Sequence, residues 1–311
     1  MKQISPVCCC FFFLALAVGC TRDSGQASGH SRDRTTDEAP AQVQLPESVR
    51  QELGDLEVDY YEVSHQGRRL WCYIPRVAPG KRVPCILIAP AGSSLCTGMA
   101  LGEGDRPEHV PYLKSGFAVI AFDLSGATTE DTRGVELENA IRAFMAADGG
   151  LDDGRAAVDY ALNHFPIDPE RVYAAGHSSA AAFALYFAAN EPRIQGVVAY
   201  MPPASVRQVI GTNLVDRLDR VIPGFAAFAE RISPSNCSKD IRCPVFLFGS
   251  KQDEVVPLAE LDHLNQTLRA AGVPVEYVLV DKGDHYGAMI EQGIPAGIQW
   301  LKGLRESAAQ N

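Results

Sequence analysis

The sequence has few basic residues, and it has no apolar run as long as a typical membrane-spanning helix. Lys and Arg together number 28 against 38 Asp and Glu, which gives a formal net charge of −10 at pH 7. No cluster of Lys or Arg offsets this balance, so we expect no nucleic-acid partner. The apolar run near the N-terminus, residues 7–18, is shorter than the roughly 20 residues that a spanning helix needs.

The sequence also lacks internal repeats, and none of its cysteine or histidine spacings is that of a zinc site. Nothing in it implies a metal or an organic cofactor. Disorder is not indicated either, because 46% apolar and 21% charged residues are typical of a globular protein with a substantial core. At 311 residues the chain has room for one large domain or two small ones.

The first twenty residues have the features of an export signal. Lys2 precedes the apolar run, and Ala17-Val18-Gly19-Cys20 ends it with small residues before a cysteine. This order predicts a secretory signal over residues 1–20. The ending resembles the bacterial lipobox, although Ala17 stands where leucine is usual. We therefore expect lipidation at Cys20 and a lipid-anchored protein of the bacterial cell envelope, with soluble secretion and an uncleaved anchor as the alternatives.

Two further divisions of the chain follow from composition. Residues 21–46 are almost all polar or small, so they have little apolar surface to bury and predict a flexible tether. Residues 47–311 are predicted to form the folded domain. A tether between a lipid and a folded domain agrees with an anchor at Cys20.

Five of the nine cysteines lie in the predicted domain. An odd number leaves at least one thiol free even in an oxidising compartment. Packing is the expected role of Cys72 and Cys85, which lie in apolar runs, and a bridge between Cys237 and Cys243 is left open. The fifth is Cys96.

Strand and helix patterns alternate through the domain. Short unbroken apolar runs, such as residues 85–89 and 118–122, are typical of strands covered on both faces of a parallel sheet. Helical candidates separate the later runs, and the longest, residues 135–165, is interrupted at Gly149-Gly150. This alternation predicts an α/β fold with a doubly wound, mostly parallel sheet flanked by helices. Residues 203–241 place apolar side chains at near-helical spacing and suggest a small helical cap.

The central motif is Gly176-His177-Ser178-Ser179-Ala180, which follows a short apolar run and opens an Ala-rich helical stretch. A serine on a strand-turn-helix elbow is held in a strained conformation with its hydroxyl clear of the sheet. The pattern is short enough to arise by chance, but this context favours Ser178 as the nucleophile. The backbone N–H of Ser179 and one from the loop at residues 90–94, with Ser93 as the first choice, are the expected oxyanion donors.

An acid and a base follow later strands. Asp253 comes just after the strand-like residues 244–248, and His285 follows residues 275–280. Because parallel strands end at one edge of a sheet, we expect both at the same rim as Ser178. His285 would then accept the serine proton while Asp253 orients the imidazole. Glu254 and Asp284 are the alternative acids.

The elbow motif itself contains a histidine, His177. It is expected to pack or to face substrate and not to act as the base, because successive side chains on a tight turn point apart.

The order Ser178, Asp253, His285 resembles that of the α/β-hydrolases. Residues 55–305 are most similar to the dienelactone hydrolase and prolyl oligopeptidase-like branch of that superfamily. The motifs that carry the resemblance are Asp168-Pro169-Glu170-Arg171-Val172, the elbow, Asp253-Glu254-Val255-Val256-Pro257 and Gly283-Asp284-His285. Departures are Ala180 in place of the second elbow glycine, serine where dienelactone hydrolases carry cysteine, and no room in residues 21–46 for a propeller domain.

Three hypotheses about function result. The resemblance implies a serine hydrolase, and we expect a carboxylesterase that forms an acyl-enzyme on Ser178. A peptidase or amidase acting on short peptides is the alternative within the same class, so the partner is a small ester or a short peptide. A non-catalytic envelope binding protein on a hydrolase scaffold is the alternative from another class. The sequence does not indicate the oligomeric state.

Overall fold

The computed structural model describes residues 40–308, so the predicted signal over residues 1–20 and Cys20 lie outside the described residues, as does most of the predicted tether. Within residues 40–308, nine strands form one sheet. In chain order they are β1 (Gln42–Val43), β2 (Val58–His65), β3 (Arg68–Pro75), β4 (Val83–Ile88), β5 (Ala118–Phe122), β6 (Ile167–His177), β7 (Val197–Tyr200), β8 (Val245–Ser250) and β9 (Val275–Val280).

The strand order in the sheet is β1-β2-β3-β5-β4-β6-β7-β8-β9. The first three strands pair antiparallel with one another, and β3 pairs antiparallel with β5. All further pairings, from β5 through β4 to β9, are parallel. This arrangement confirms the predicted mostly parallel α/β sheet. It places β6, which leads into the elbow, in the middle of the parallel strands, and residues 172–177 of this strand are buried.

Helices cover both faces of the sheet, as in a doubly wound fold. The described helices are α1 (Glu47–Leu53), α2 (Arg106–Lys114), α3 (Gly134–Ala146), α4 (Leu151–His164), α5 (Ser179–Asn190), α6 (Val206–Ile210), α7 (Thr212–Val221), α8 (Phe225–Arg231), α9 (Pro234–Cys237), α10 (Leu258–Ala270) and α11 (Ile294–Ala308). Apolar residues of α1, α2 and α11 form the core on one face, and those of α3–α10 form the core on the other.

The long helical stretch predicted at residues 135–165 is two helices, α3 and α4, that meet at a tight turn. Asp148, Gly149 and Gly150 all have positive φ angles there, of 50°, 67° and 89°. A side chain at Gly150 would place its Cβ 2.6 Å from Leu124 Cδ2, so glycine is needed for space as well as conformation.

Helices α6–α9, here called the inserted helices, connect β7 to β8 within the region expected to form a cap. Val215, Leu218 and Phe225 are buried and join the core on the α5 side of the sheet. The ring of Phe228 packs edge-on against Phe144 of α3 with their centroids 5.8 Å apart. The inserted helices are therefore anchored by packing on the helices beside the elbow.

Within residues 40–308 one expectation needs correction and one open question is answered. Gln42 and Val43 were assigned to the tether, but they form β1 and pair with Tyr61 and Tyr60 of β2. The folded domain therefore includes residues before 47. Cys237 and Cys243, between which a disulfide bridge was left open, are both free and buried, so the bridge is not formed.

Candidate active site

Ser178 lies at the elbow between β6 and α5, in a conformation that non-glycine residues rarely adopt. Its φ and ψ angles are 54° and −120°. Its backbone N–H donates to the carbonyl of Tyr200 at the end of β7, 2.9 Å away. Strain of this kind persists only where the surrounding structure imposes it, and it is concentrated at active sites. The conformation keeps the hydroxyl at the carboxyl end of the parallel strands.

The small residues of the motif let β6 and α5 approach closely. A Cβ atom added at Gly176 would lie 2.3 Å from the carbonyl oxygen of Ala180. Ala180 itself is 1% exposed, so a methyl group is accommodated at the second position of the elbow. The first N–H groups of α5 have no acceptor inside the helix, and their partial positive charge lies beside Ser178.

Asp253 and His285, which follow β8 and β9, form a hydrogen-bonded pair. Nδ1 of His285 lies 2.8 Å from Oδ2 of Asp253. An ionised carboxylate only accepts, so Nδ1 carries the proton and the lone pair of a neutral ring is on Nε2. The other carboxylate oxygen accepts from the N–H groups of Val255 and Val256 at 2.8 and 2.9 Å.

Electrostatics keep Asp253 charged. Burial of its carboxyl group opposes ionisation, but the hydrogen bond from His285 and the two backbone donors outweigh it and hold the pKa of Asp253 below its ordinary value. A charged carboxylate at this place stabilises a positive charge that develops on the imidazole.

Side chains at the end of β8 and in the loop after it bind the loop after β9, which holds Asp253 and His285 in place. The hydroxyl of Ser250 donates to the carbonyl of Gly283 at 2.6 Å, and the N–H of Gly283 donates to Gln252 Oε1 at 3.1 Å. The loops that carry Asp253 and His285 are therefore connected by bonds that involve neither side chain.

The alternative acid Asp284 has a different role in the structure. Its carboxylate accepts from the N–H groups of Tyr286 and Gly287 at 3.1 and 2.6 Å, which stabilises the turn after His285. The carboxylate that contacts His285 is that of Asp253, not that of Asp284 or Glu254.

His177 was expected to pack or to face substrate, and the structure places its ring under His285. His177 is 4% exposed, its Nε2 lies 2.9 Å from the backbone carbonyl of His285, and the two ring centroids are 4.5 Å apart. Burial, followed by the neighbouring His285, lowers the pKa of His177 to about 3, so the ring is neutral near pH 7. A carbonyl only accepts, so Nε2 of His177 is the donor. The sequence signal for this contact was only adjacency to Ser178.

We predict that His177→Phe lowers kcat about tenfold and leaves KM nearly unchanged. Phenylalanine keeps the ring but leaves the buried carbonyl of His285 without a donor, at a cost of about 1–3 kcal/mol. The matched variant His177→Gln retains an amide N–H near the Nε2 position and should recover most of kcat. Steady-state kinetics of both variants test this positioning role, and equal losses in the two would contradict it.

The two residues chosen as oxyanion donors contact each other. The N–H of Ser93 donates to the hydroxyl oxygen of Ser179 at 3.1 Å. No local sequence pattern indicates that the Ser179 hydroxyl would accept from the N–H chosen as an oxyanion donor. The N–H of Ser179 itself is the first of α5, with no acceptor inside the helix. The loop after β4 is thus attached to the residue that follows Ser178.

The serine and the imidazole are not hydrogen-bonded in this structure. Nε2 of His285 is buried without a hydrogen-bond partner among residues 40–308. Such bonds are often long or poorly aligned before substrate binds. The structure thus brings together Asp253 with His285, His177 with His285 and Ser93 with Ser179, and it leaves Nε2 of His285 without a donor from Ser178.

Known proteins resemble this chain in sequence family and in fold. A model of the prolyl oligopeptidase family matches residues 106–299, which is more than half of the chain. Comparison with curated protein sequences gave no significant match.

Solved structures show the fold. Dipeptidyl peptidase 4 of Porphyromonas gingivalis matches with a TM-score of 0.60 and 15% identity over 79% of this chain and 35% of that one. Acylaminoacyl peptidase of Pyrococcus horikoshii matches with a TM-score of 0.59 and 14% identity over 84% and 42%. Esterase Pf2001 of Pyrococcus furiosus matches with a TM-score of 0.57 and 20% identity over 85% and 98%. The chain spans about two fifths or less of the peptidase chains, and the shared fold is that of the α/β-hydrolases.

Proposed function

Because the chain belongs to the prolyl oligopeptidase family and is a serine hydrolase of that family, we propose that it cleaves carboxylic esters through an acyl-enzyme on Ser178. In this proposal the hydroxyl of Ser178 attacks the ester carbonyl while Nε2 of His285 takes its proton. The leaving alcohol receives that proton, and water then releases the acid by the reverse path. Asp253 keeps the imidazole in the required tautomer.

The observation that carries the proposal is the hydrogen bond of 2.8 Å between Nδ1 of His285 and Asp253. It fixes the ring so that Nε2 is the basic nitrogen, and it lies beyond the carboxyl ends of β8 and β9, on the β7 side of the Ser178 elbow. The N–H of Ser179 supports the proposal as an oxyanion donor at the start of α5. The second donor must come from the loop after β4, where Ser93 gives up its bond to the Ser179 hydroxyl when substrate arrives.

Ester substrates are preferred in this proposal because the match extends over 98% of the Pyrococcus furiosus esterase. The family match favours the second candidate, a peptidase or amidase that acts on short peptides. Initial rates on 4-nitrophenyl acyl esters and on aminoacyl 4-nitroanilides, measured side by side with the purified protein, separate the two. We expect kcat/KM on the esters to be at least a hundredfold higher, and faster cleavage of the anilides would contradict the ester proposal.

We also propose that the protein is exported and attached to a bacterial membrane by a lipid on Cys20, with residues 21–39 between that lipid and the folded domain. No helix within residues 40–308 has the length and apolar character needed to cross a membrane. The test is fractionation of cells that express the full chain or its Cys20→Ser variant. We expect the former with the membranes and the latter in the soluble fraction, and an unchanged distribution would contradict the lipid anchor.

A further inference from the structure

A small apolar cavity lies beside Ser179 and the loop after β4. Its polar lining includes Ser93 and Ser179, the two residues joined by the bond of 3.1 Å. Apolar side chains from the loops after β4 and β5, from α3 and α5 and from the inserted helices form its walls. These are Leu95, Leu124, Phe144, Phe183, Val206 and Ile232.

The positions of the proposed catalytic groups around Ser178 decide which part of a substrate would enter this cavity. In the sheet, β4 lies on one side of β6, whereas β8 and β9, which precede Asp253 and His285, lie on the other. The leaving alcohol must receive its proton from His285, so it lies on the β9 side of Ser178. The carbonyl oxygen is directed at the N–H of Ser179. The acyl substituent is then left on the β4 side, where Ser93 and Leu95 of the loop after β4 line the cavity.

The size of the cavity limits that substituent. Its volume is about 20 Å³, slightly more than one water molecule needs. Phe144 and Phe183 are 4% and 7% exposed, so they are packed and have little freedom to withdraw. A methyl group is about as large as the cavity admits, and a longer chain would have to displace these rings.

We propose that this cavity is the acyl pocket and that it restricts the protein to acetyl esters. The pocket presupposes the proposed esterase activity and specifies its substrate class. An acetyl group is transferred from the alcohol to Ser178 as the ester C–O bond breaks and the alcohol takes the proton held by His285. Water then attacks the acetyl-enzyme, and acetate leaves with Ser178 regenerated.

The chain-length profile of 4-nitrophenyl esters tests the pocket, because the leaving group stays constant while the acyl group grows. One methylene too many or too few in an apolar pocket changes kcat/KM about 10- to 200-fold. We therefore expect acetate to exceed butyrate by at least tenfold in the full-length protein, and hexanoate to be slower again.

Removing one wall of the cavity should relax this preference. Phe144→Ala is expected to reduce the ratio of acetate to butyrate rates at least tenfold. Phe246→Ala is the matched control, because that ring is buried on the other face of the sheet and should leave the ratio unchanged. If Phe144→Ala fails to fold by circular dichroism, Ile232→Ala removes less of the wall and is expected to relax the ratio in the same direction.

The possible failures are distinguishable. Equal rates on acetate and hexanoate, or a ratio unchanged in the wall variants, would overturn the acyl pocket and leave the proposed esterase intact. Absence of turnover on every ester in folded protein would instead contradict the proposed function.

Discussion

Replacing Ser178 with alanine is expected to lower kcat for ester hydrolysis about 10⁴- to 10⁶-fold. The proposed acyl-enzyme forms on this hydroxyl, so its loss leaves only the acceleration that binding and oxyanion donors provide. Substrate binding should change little, because alanine removes one oxygen. The measurement is the steady-state rate on a 4-nitrophenyl ester at neutral pH.

The control for this variant is Ser115→Ala, at the C-terminal end of α2 and away from the elbow. It removes the same atom and should keep the full rate. A Ser178→Ala protein that cleaves esters at the rate of the unaltered protein would refute a nucleophile at this position. Circular dichroism of both variants establishes that they are folded.

Asp253→Asn is expected to lower kcat about 10³- to 10⁴-fold at neutral pH while the fold is retained. The asparagine amide can donate to Nδ1 of His285, which would move the ring proton to Nε2 and leave no base facing the serine. It also removes the charge that stabilises the imidazolium. The measurement is the rate on the same ester across pH.

Asp284→Asn is the matched control for the acid. The asparagine oxygen can still accept from the N–H groups of Tyr286 and Gly287, so the turn after His285 should persist. We expect its rate to stay within a few fold of the unaltered protein. A larger loss of kcat in Asp284→Asn than in Asp253→Asn would contradict the assignment of Asp253 as the acid and would favour Asp284 instead.

The carboxylate of Asp253 also contributes to the stability of the fold. Because the pKa of Asp253 is lower in the folded protein than its ordinary value, the unfolded chain takes up the proton first as the pH falls. The stability that this group contributes is present above the ordinary aspartate pKa and is lost as the pH drops through the lower, folded pKa. Asp253→Asn lacks this contribution, so its free energy of unfolding should fall less steeply at acidic pH.

The parts of the fold that the sequence predicted correctly are those in which local pattern and burial agree. The runs at residues 118–122 and 275–280 are β5 and β9 with the predicted bounds. The break between α3 and α4 was visible as Gly149-Gly150, because only a turn with positive φ angles requires such a pair. Strand β1 was missed because its two residues lie in a polar stretch and pair only through a tertiary contact with β2.

The candidate site likewise has residues that the sequence predicted and contacts that it did not. Ser178, Asp253 and His285 were chosen because each follows a strand-like run, and the structure places all three beyond the ends of parallel strands. The contact of His177 with the carbonyl of His285 spans 108 residues, and no local pattern encodes it. The bond from Ser93 to the hydroxyl of Ser179 is equally non-local. The acyl cavity depends on side chains from six separate segments, whose convergence only the folded chain defines.

The most direct test of the account is the mass of the intact protein after treatment with a fluorophosphonate, followed by peptide mapping of the adduct. Such a reagent labels a serine whose hydroxyl is activated by a neighbouring base. We predict a single adduct on Ser178, with none in Ser178→Ala and slower labelling in Asp253→Asn. An unlabelled protein that is shown to be folded, or an adduct on Ser179 in place of Ser178, would contradict the assignment of the nucleophile.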